Sequence, residues 1–145
     1  MNTIENTSAD KNVKRRLPNE LTGMALAYLG DCVIELMVRE YLIGLGMYDS
    51  ASLNKNALRF VKATAQSVAF LKIEGLLEPE ELAYFKRGRN ANVKTPKSAT
   101  VSEYHRATGF EALFGYLELT EKNERKRELF NLAYADVINS LESDN

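Results

Sequence analysis

Apolar residues recur every three or four positions along most of the chain, which is the spacing of one face of an α-helix. The pattern predicts five helices, over residues 19–44, 52–73, 79–90, 102–119 and 124–141. No segment alternates convincingly between apolar and polar residues with a period of two, so no β-strand is predicted. The sequence therefore predicts an all-α fold, a helical bundle.

Two stretches fall outside the helical pattern. Residues 1–17 are almost entirely polar and lack aromatic side chains, which predicts a disordered N-terminal tail. Residues 91–100 are small, polar and basic and include Pro96, which predicts a loop between two helices. There is no internal repeat, so residues 18–142 are expected to form a single domain.

The composition is that of an ordinary soluble protein, with 145 residues, 45% of them hydrophobic and 27% charged. Cys32 is the single cysteine, which excludes an internal disulfide bond, and we interpret it as a small buried residue. No run of about 18 apolar residues and no apolar signal sequence is present. We therefore expect a cytoplasmic protein that does not enter a membrane.

Positive charge is concentrated in one part of a chain whose net charge is only −1. Between residues 82 and 109, only Glu103 opposes a group of basic side chains: Lys86, Arg87, Arg89, Lys94, Lys97 and Arg106. These residues can complement the negative end of a helix dipole, or they can bind the phosphates of a polyanion, and the sequence leaves both interpretations open. His105, the single histidine, is interpreted as a polar residue or a phosphate contact rather than a general base.

Two motifs each place one carboxylate in an apolar helical pattern beside a glycine: residues 26–31 (LAYLGD) and 108–116 (TGFEALFGY). A glycine inside a helix costs about 0.5–1 kcal/mol relative to alanine, and a half-buried unpaired carboxylate is also unfavourable. Glycines that let two helices approach would allow Asp31 and Glu111 to share a hard cation. Helix capping, a distant arginine partner or partial exposure would also explain such carboxylates.

The motifs resemble, in order and spacing, those of the Mini-ribonuclease III family. Residues 26–35 (LAYLGDCVIE) look like its first motif, and residues 86–91 (KRGRNA) and 107–116 (ATGFEALFGY) look like its later motifs. The resemblance covers about residues 21 to 119.

This resemblance implies a ribonuclease III catalytic domain of all-helical fold, without an appended double-stranded-RNA-binding domain. It implies a homodimer that uses Mg²⁺, with Mn²⁺ as a substitute ion, to cut double-stranded RNA and to mature the 5′ and 3′ ends of 23S ribosomal RNA. Asp31 and Glu111 match the catalytic, metal-binding positions. The residues expected to bind RNA are the basic group with two polar neighbours: Lys86, Arg87, Arg89, Asn90, Lys94, Lys97, His105 and Arg106.

The sequence departs from that of full-length ribonuclease III at three carboxylate positions, which here hold Met24, Ala27 and Thr108. The absence of these three carboxylates is typical of the Mini branch of the family, and it leaves open how many metal ions the site binds. A non-catalytic RNA-binding or dimerisation module with the same fold is the alternative function. Retention of both Asp31 and Glu111 favours the enzyme.

Overall fold

The computed structural model describes residues 16–91, 94 and 97–144, and these residues contain helices but no β-strand. Most of the predicted N-terminal tail therefore lies outside the described residues. Short 3-10 helices span Pro18–Glu20 and Glu74–Leu76. The α-helices of the described residues are α1 (Gly23–Gly44), α2 (Ser50–Val61), α3 (Ala63–Ile73), α4 (Pro79–Arg89), α5 (Val101–Leu119), α6 (Asn123–Ala133) and α7 (Ala135–Ser143). The prediction of an all-α fold is confirmed.

Helix α5 is the centre of the bundle, and α1, α3, α4 and α6 pack around it. Its side chains Phe110, Leu113, Phe114 and Leu117 are completely buried. An element buried on several sides shows a weaker amphipathic pattern than a surface helix, because nearly every face meets an apolar neighbour. The two candidate motifs lie on α1 and α5, the two helices with the most extensive mutual contact.

The prediction of one helix over residues 52–73 is wrong, because the chain is extended at Lys62 (φ −66°, ψ 149°) and two helices result. Helix α2 packs on α1, whereas α3 packs on α5 and α6, so one straight helix could not make both contacts. The carbonyl of Phe60 accepts a hydrogen bond of 2.9 Å from the Tyr134 hydroxyl instead of an amide of its own helix. Lys62 is neither glycine nor proline, and the sequence therefore gives no sign of the break.

The predicted helix over residues 124–141 is also two helices, which meet at Tyr134 (φ −106°, ψ 18°). The Tyr134 ring packs edge-on against Phe60 with centroids 5.0 Å apart. The two helix breaks therefore face each other across the core, and the tertiary contact between them fixes both.

Helix α1 begins at Gly23 rather than at residue 19, because the Thr22 side chain accepts a hydrogen bond from the amide of Ala25 and caps the helix there. The carbonyls of Asn19 and Leu21, just before the helix, accept hydrogen bonds from Arg87 on α4, at 3.3 and 2.9 Å. The segment before α1 is thus held against α4.

Cys32 is exposed, so the interpretation of it as a buried residue is wrong. The buried side of α1 is formed by Leu26, Ile34 and Val38, and Cys32 lies beside an open groove between α1 and α6. Within the described part of the chain, no helix combines the length and apolar character that crossing a membrane requires.

Glu81 is buried in an ion pair that ties α4 to α6. Its two carboxylate oxygens accept hydrogen bonds from Nε and Nη2 of Arg125 at 2.8 and 2.9 Å, and one also accepts from the amide of Glu78 at 2.8 Å. Burial alone would raise the pKa of Glu81, but the hydrogen bonds from Arg125 and Glu78 outweigh it and hold the pKa below its usual value of 4.5.

Replacing Glu81 by Gln is expected to lower the free energy of unfolding by about 2–3 kcal/mol at neutral pH, because Arg125 loses its buried partner. Since the folded-state pKa of Glu81 is lowered, this stabilisation is complete above the unfolded-state value and is lost as the pH falls through the folded value. Urea unfolding between pH 7 and pH 3 tests this, and the variant and the wild-type protein should converge in acid.

The matched control is Glu128→Gln, because Glu128 pairs with the same Arg125 but its side chain is 57% exposed. That substitution should change stability by less than about 0.5 kcal/mol. Equal effects of the two substitutions would contradict the role assigned to the buried pair.

Candidate active site

Two glycines lie where α1 and α5 approach most closely. A Cβ added to Gly30 would overlap the main-chain carbonyl of Glu111, and one added to Gly115 would overlap that of Leu26. The expectation that these glycines let the two backbones approach is confirmed. Only residues without a side chain allow the segments that carry Asp31 and Glu111 to come into backbone contact.

The two candidate carboxylates lie side by side across this contact. Burial, together with the hydrogen bond to Asp31 and the negative charge of Asp31, raises the pKa of Glu111 to about 9. Without a cation, the Glu111 carboxyl group is therefore protonated at neutral pH. A divalent cation placed between them would balance both negative charges and replace this proton.

The two carboxylates differ in their surroundings. Glu111 is partly buried where α5 meets α1, whereas Asp31 is exposed on the surface of α1. The expectation of half-buried acids is therefore confirmed for Glu111 and wrong for Asp31. One group is fixed by packing and the other faces solvent, so a substrate can approach the pair from the side of Asp31.

Helix α3 supplies a third side of the site through Gln66. The Gln66 side chain is 3% exposed, and its Nε2 is buried without a hydrogen-bond partner among the described residues. It lies close enough to the Glu111 carboxyl to lower the pKa of Glu111, against the larger effects of burial and of Asp31. A buried donor with no partner in the described part of the chain thus lies beside the Glu111 carboxyl group.

The sequence analysis did not find Gln66, although a signal was present. Gln66 lies three, four and seven residues before Ala69, Phe70 and Ile73, which puts it on the same face of a helix as these apolar residues. All three are buried in the structure. A single polar residue on such a face indicates a buried polar contact.

The donor set fits one hard cation. Two carboxylates can hold Mg²⁺ if water and phosphate oxygens complete its six ligands. Within the described residues, no group of three or more His, Cys, Asp or Glu side chains is placed to hold a metal. Thr108 occupies one of the positions where full-length ribonuclease III has a carboxylate, and its hydroxyl donates to the carbonyl of Tyr104 at 2.9 Å. Glu35, four residues after Asp31 on α1, pairs with Arg39 at 3.0 Å.

Three residues predicted to bind RNA line one cleft of about 190 Å³ between α3, α4 and α5: Arg89, His105 and Arg106. His105 donates from Nδ1 to the carbonyl of Arg89 at 2.9 Å, and Arg106 donates from Nη1 to the buried hydroxyl of Ser67 at 2.8 Å. The acidic side chain of Glu74 also lines the cleft. The cleft is therefore a fixed arrangement of cationic and polar groups.

The other predicted RNA-binding residues are not in this cleft. Arg87 holds the carbonyls before α1 and lies over the ring of Tyr84 at 5.2 Å. The remaining four are exposed at the end of α4 or beyond it: Lys86, Asn90, Lys94 and Lys97. Residues 92, 93, 95 and 96 of the predicted loop lie outside the described residues.

The cleft and Glu111 both lie where α3 and α5 are in contact. Gln66 on α3 faces Glu111 on α5, and the following Ser67 binds Arg106, which precedes Glu111 by five residues. Five residues of α-helix span about 7–8 Å along the helix axis. The cationic cleft therefore begins about one and a half turns of α5 from Glu111.

Comparison with known proteins gives the family of this chain. Residues 24–122 match the family model of the ribonuclease III domain. The chain is 47% identical to the Mini-ribonuclease 3 of Enterococcus faecalis over 116 residues, which is 77% of this chain and 87% of that protein. It is 44% identical to the Mini-ribonuclease 3 of Symbiobacterium thermophilum over 126 residues, or 85% and 96% of the two chains. The chain belongs to the Mini-ribonuclease 3 family.

A solved structure agrees with this assignment. The crystal structure of a Fusobacterium nucleatum protein superimposes with a TM-score of 0.72 at 38% sequence identity, covering 77% of this chain and 91% of that one. This member of the Mini-ribonuclease 3 family thus has the helical ribonuclease III domain fold expected from its motifs, and it is an endoribonuclease of the ribonuclease III type. The alternative of a non-catalytic module is not supported.

Proposed function

We propose that this endoribonuclease cuts double-stranded RNA in a reaction that depends on Mg²⁺, with Mn²⁺ as a substitute ion, held by Asp31 and Glu111. The observation that carries the proposal is the contact between these two carboxyl groups, made possible by Gly30 and Gly115. Such an arrangement is unfavourable in a protein without a cation and is favourable for one that binds it.

The cation, Glu111 and Asp31 would have different roles in the reaction. When bound, the cation would supply Lewis-acid activation of a water nucleophile and neutralise charge that develops on the phosphate. The partly buried Glu111 would set the position of the charge, and the exposed Asp31 would face the RNA. The products would carry a 5′-phosphate and a 3′-hydroxyl.

Cleavage of a long RNA duplex by the purified protein tests this proposal. The wild-type protein should shorten the duplex in Mg²⁺ or Mn²⁺ and leave it intact in EDTA, and a single strand of the same sequence serves as the comparison. Cleavage that persists at full rate in EDTA would exclude the cation from the reaction.

RNA binding is assigned to the cationic cleft and to the exposed lysines beside it. A-form duplexes are recognised mainly through phosphates and 2′-hydroxyls, since side chains cannot read their deep, narrow major groove. Arg89, His105 and Arg106 present suitable donors in fixed positions. Lys86, Lys94 and Lys97 are exposed and can follow the phosphate backbone further from the carboxyl pair.

Replacing Lys86, Lys94 and Lys97 together by Gln is expected to weaken binding to duplexes of every sequence. Each lost phosphate contact should reduce the slope of log K against log salt by about 0.7–0.9. Fluorescence anisotropy at several salt concentrations, in Ca²⁺ to prevent cleavage, measures this slope. An unchanged slope would exclude the three lysines from the RNA contact.

Arg87→Gln should instead lower thermal stability, because Arg87 holds the segment before α1.

A homodimer is the proposed assembly. Ile34 and Val38 lie on the side of α1 that is buried in the core. Tyr28 and Leu36 lie on other sides of the helix and are 86% and 57% exposed. Exposed apolar side chains of this size on one helix are typical of a surface that a partner covers. Two-fold symmetry would place two carboxyl pairs on opposite strands of one duplex, which double-strand cleavage requires.

The proposed cellular role is maturation of the 5′ and 3′ ends of 23S ribosomal RNA from its precursor in the cytoplasm. This role is supported by the resemblance of the motifs at residues 26–35 and 107–116 to those of the family. Mapping the ends of ribosomal RNA in cells that lack the protein tests it. Mature ends at normal abundance would contradict this role without affecting the proposal about cleavage of duplex RNA.

A further inference from the structure

Gln66 occupies a position that favours an apolar residue. Its neighbours on the same face of α3, Ala69, Phe70 and Ile73, are buried hydrophobic residues. The Gln66 amide is buried with them, and its Nε2 has no hydrogen-bond partner among the described residues. A buried donor without an acceptor destabilises the folded state, so an apolar side chain of similar shape would fold better here.

The surroundings of Gln66 explain what this donor faces. The Glu111 carboxyl lies beside it, and Asp31 contacts Glu111 from the α1 side. Gln66 is 3% exposed, so its amide cannot reach an RNA phosphate outside the bundle. The acceptor beside Nε2 is the Glu111 carboxyl group, a proposed ligand of the cation.

We propose that Gln66 is a positioning residue for the cation site. When Glu111 is ionised and holds the cation, Nε2 of Gln66 would donate a hydrogen bond to the Glu111 carboxylate and keep that group in place beside Asp31. Groups that orient metal ligands in this way commonly alter metal affinity or activity by about 10–100-fold when they are removed. The inference rests on the proposed function of Asp31 and Glu111 and adds to it a specific role for α3.

The test compares wild-type protein with Gln66→Met, which keeps the length of the side chain and removes the donor. The first measurement is the melting temperature of the protein without RNA, as MgCl₂ is increased from zero, and it needs no catalysis. The second is the MgCl₂ concentration that gives half-maximal cleavage of a duplex. We expect the Met variant to melt at the same or a higher temperature without Mg²⁺, and to need about 10–100-fold more Mg²⁺ in both measurements.

Ser67→Ala is the matched control, because Ser67 is the adjacent buried polar residue of α3 but binds Arg106 rather than Glu111. It should leave the Mg²⁺ requirement unchanged, whatever it does to RNA binding. A wild-type Mg²⁺ requirement in Gln66→Met would overturn the inference, and a lower melting temperature without Mg²⁺ would show that Gln66 only supports the fold. If Mg²⁺ fails to stabilise the wild-type protein, the proposed cation site is itself refuted. That result is seen in the wild-type protein, so it can be distinguished from the two outcomes for Gln66→Met.

Discussion

Asp31→Asn and Glu111→Gln are each expected to lower the rate of duplex cleavage by at least about 10³-fold, which corresponds to about 4 kcal/mol of lost transition-state stabilisation. Each substitution keeps the shape of the side chain and removes one negative charge from the proposed cation site. Single-turnover cleavage of an end-labelled RNA duplex at saturating Mg²⁺ measures the effect. Cleavage within tenfold of the wild-type rate by either variant would refute the metal assignment.

The same substitutions should leave the fold intact, which separates loss of chemistry from loss of structure. Glu111→Gln should melt, without divalent cations, at a temperature no lower than the wild type, because the partly buried acidic group beside Asp31 is replaced by a neutral amide. Mg²⁺ should then raise the melting temperature of the wild type and not that of the variant.

Mixing the two kinds of chain tests the dimer with the same proteins. Dimers of one wild-type and one Asp31→Asn chain should nick a single strand of the duplex. Efficient cutting of both strands by a protein that sediments as a monomer would contradict the proposed two-fold arrangement.

Gly30→Ala is expected to lower the free energy of unfolding by about 3 kcal/mol or more, at the upper end of the range for overpacked sites. The added methyl group would overlap the main-chain carbonyl of Glu111, and neither helix backbone can move away without opening the contact between α1 and α5. Gly115→Ala should act in the same way, through the carbonyl of Leu26. Urea unfolding monitored by circular dichroism measures both effects.

Gly44→Ala is the control in the same helix, because a Cβ at Gly44 would meet no atom within 4 Å. That substitution should be neutral or stabilise the protein by about 0.5 kcal/mol, since alanine favours the helix more than glycine. If Gly30→Ala and Gly44→Ala had similar effects, close backbone packing would not be the reason for glycine at residue 30.

The sequence was sufficient to predict that helices form and roughly where most of them lie. The periodicity of residues 79–90 and 102–119 predicted α4 and α5 within one residue of their ends, because capping residues such as Thr100 and a first-turn proline mark these helices locally. The breaks at Lys62 and Tyr134 could not be predicted in this way. They exist because neighbouring segments pack on different helices, which is a property of the assembled core.

For the proposed site, the sequence by itself indicated the two carboxylates and the glycines beside them as candidates, because an acid and a glycine are both unfavourable in an apolar helical motif. Only the tertiary structure decided that Asp31 is exposed while Glu111 is partly buried, and that Gln66 of α3 lies beside Glu111. Helical periodicity tells which residues share a face of one helix. It does not tell which helix lies opposite, because that depends on how the whole bundle fills its core.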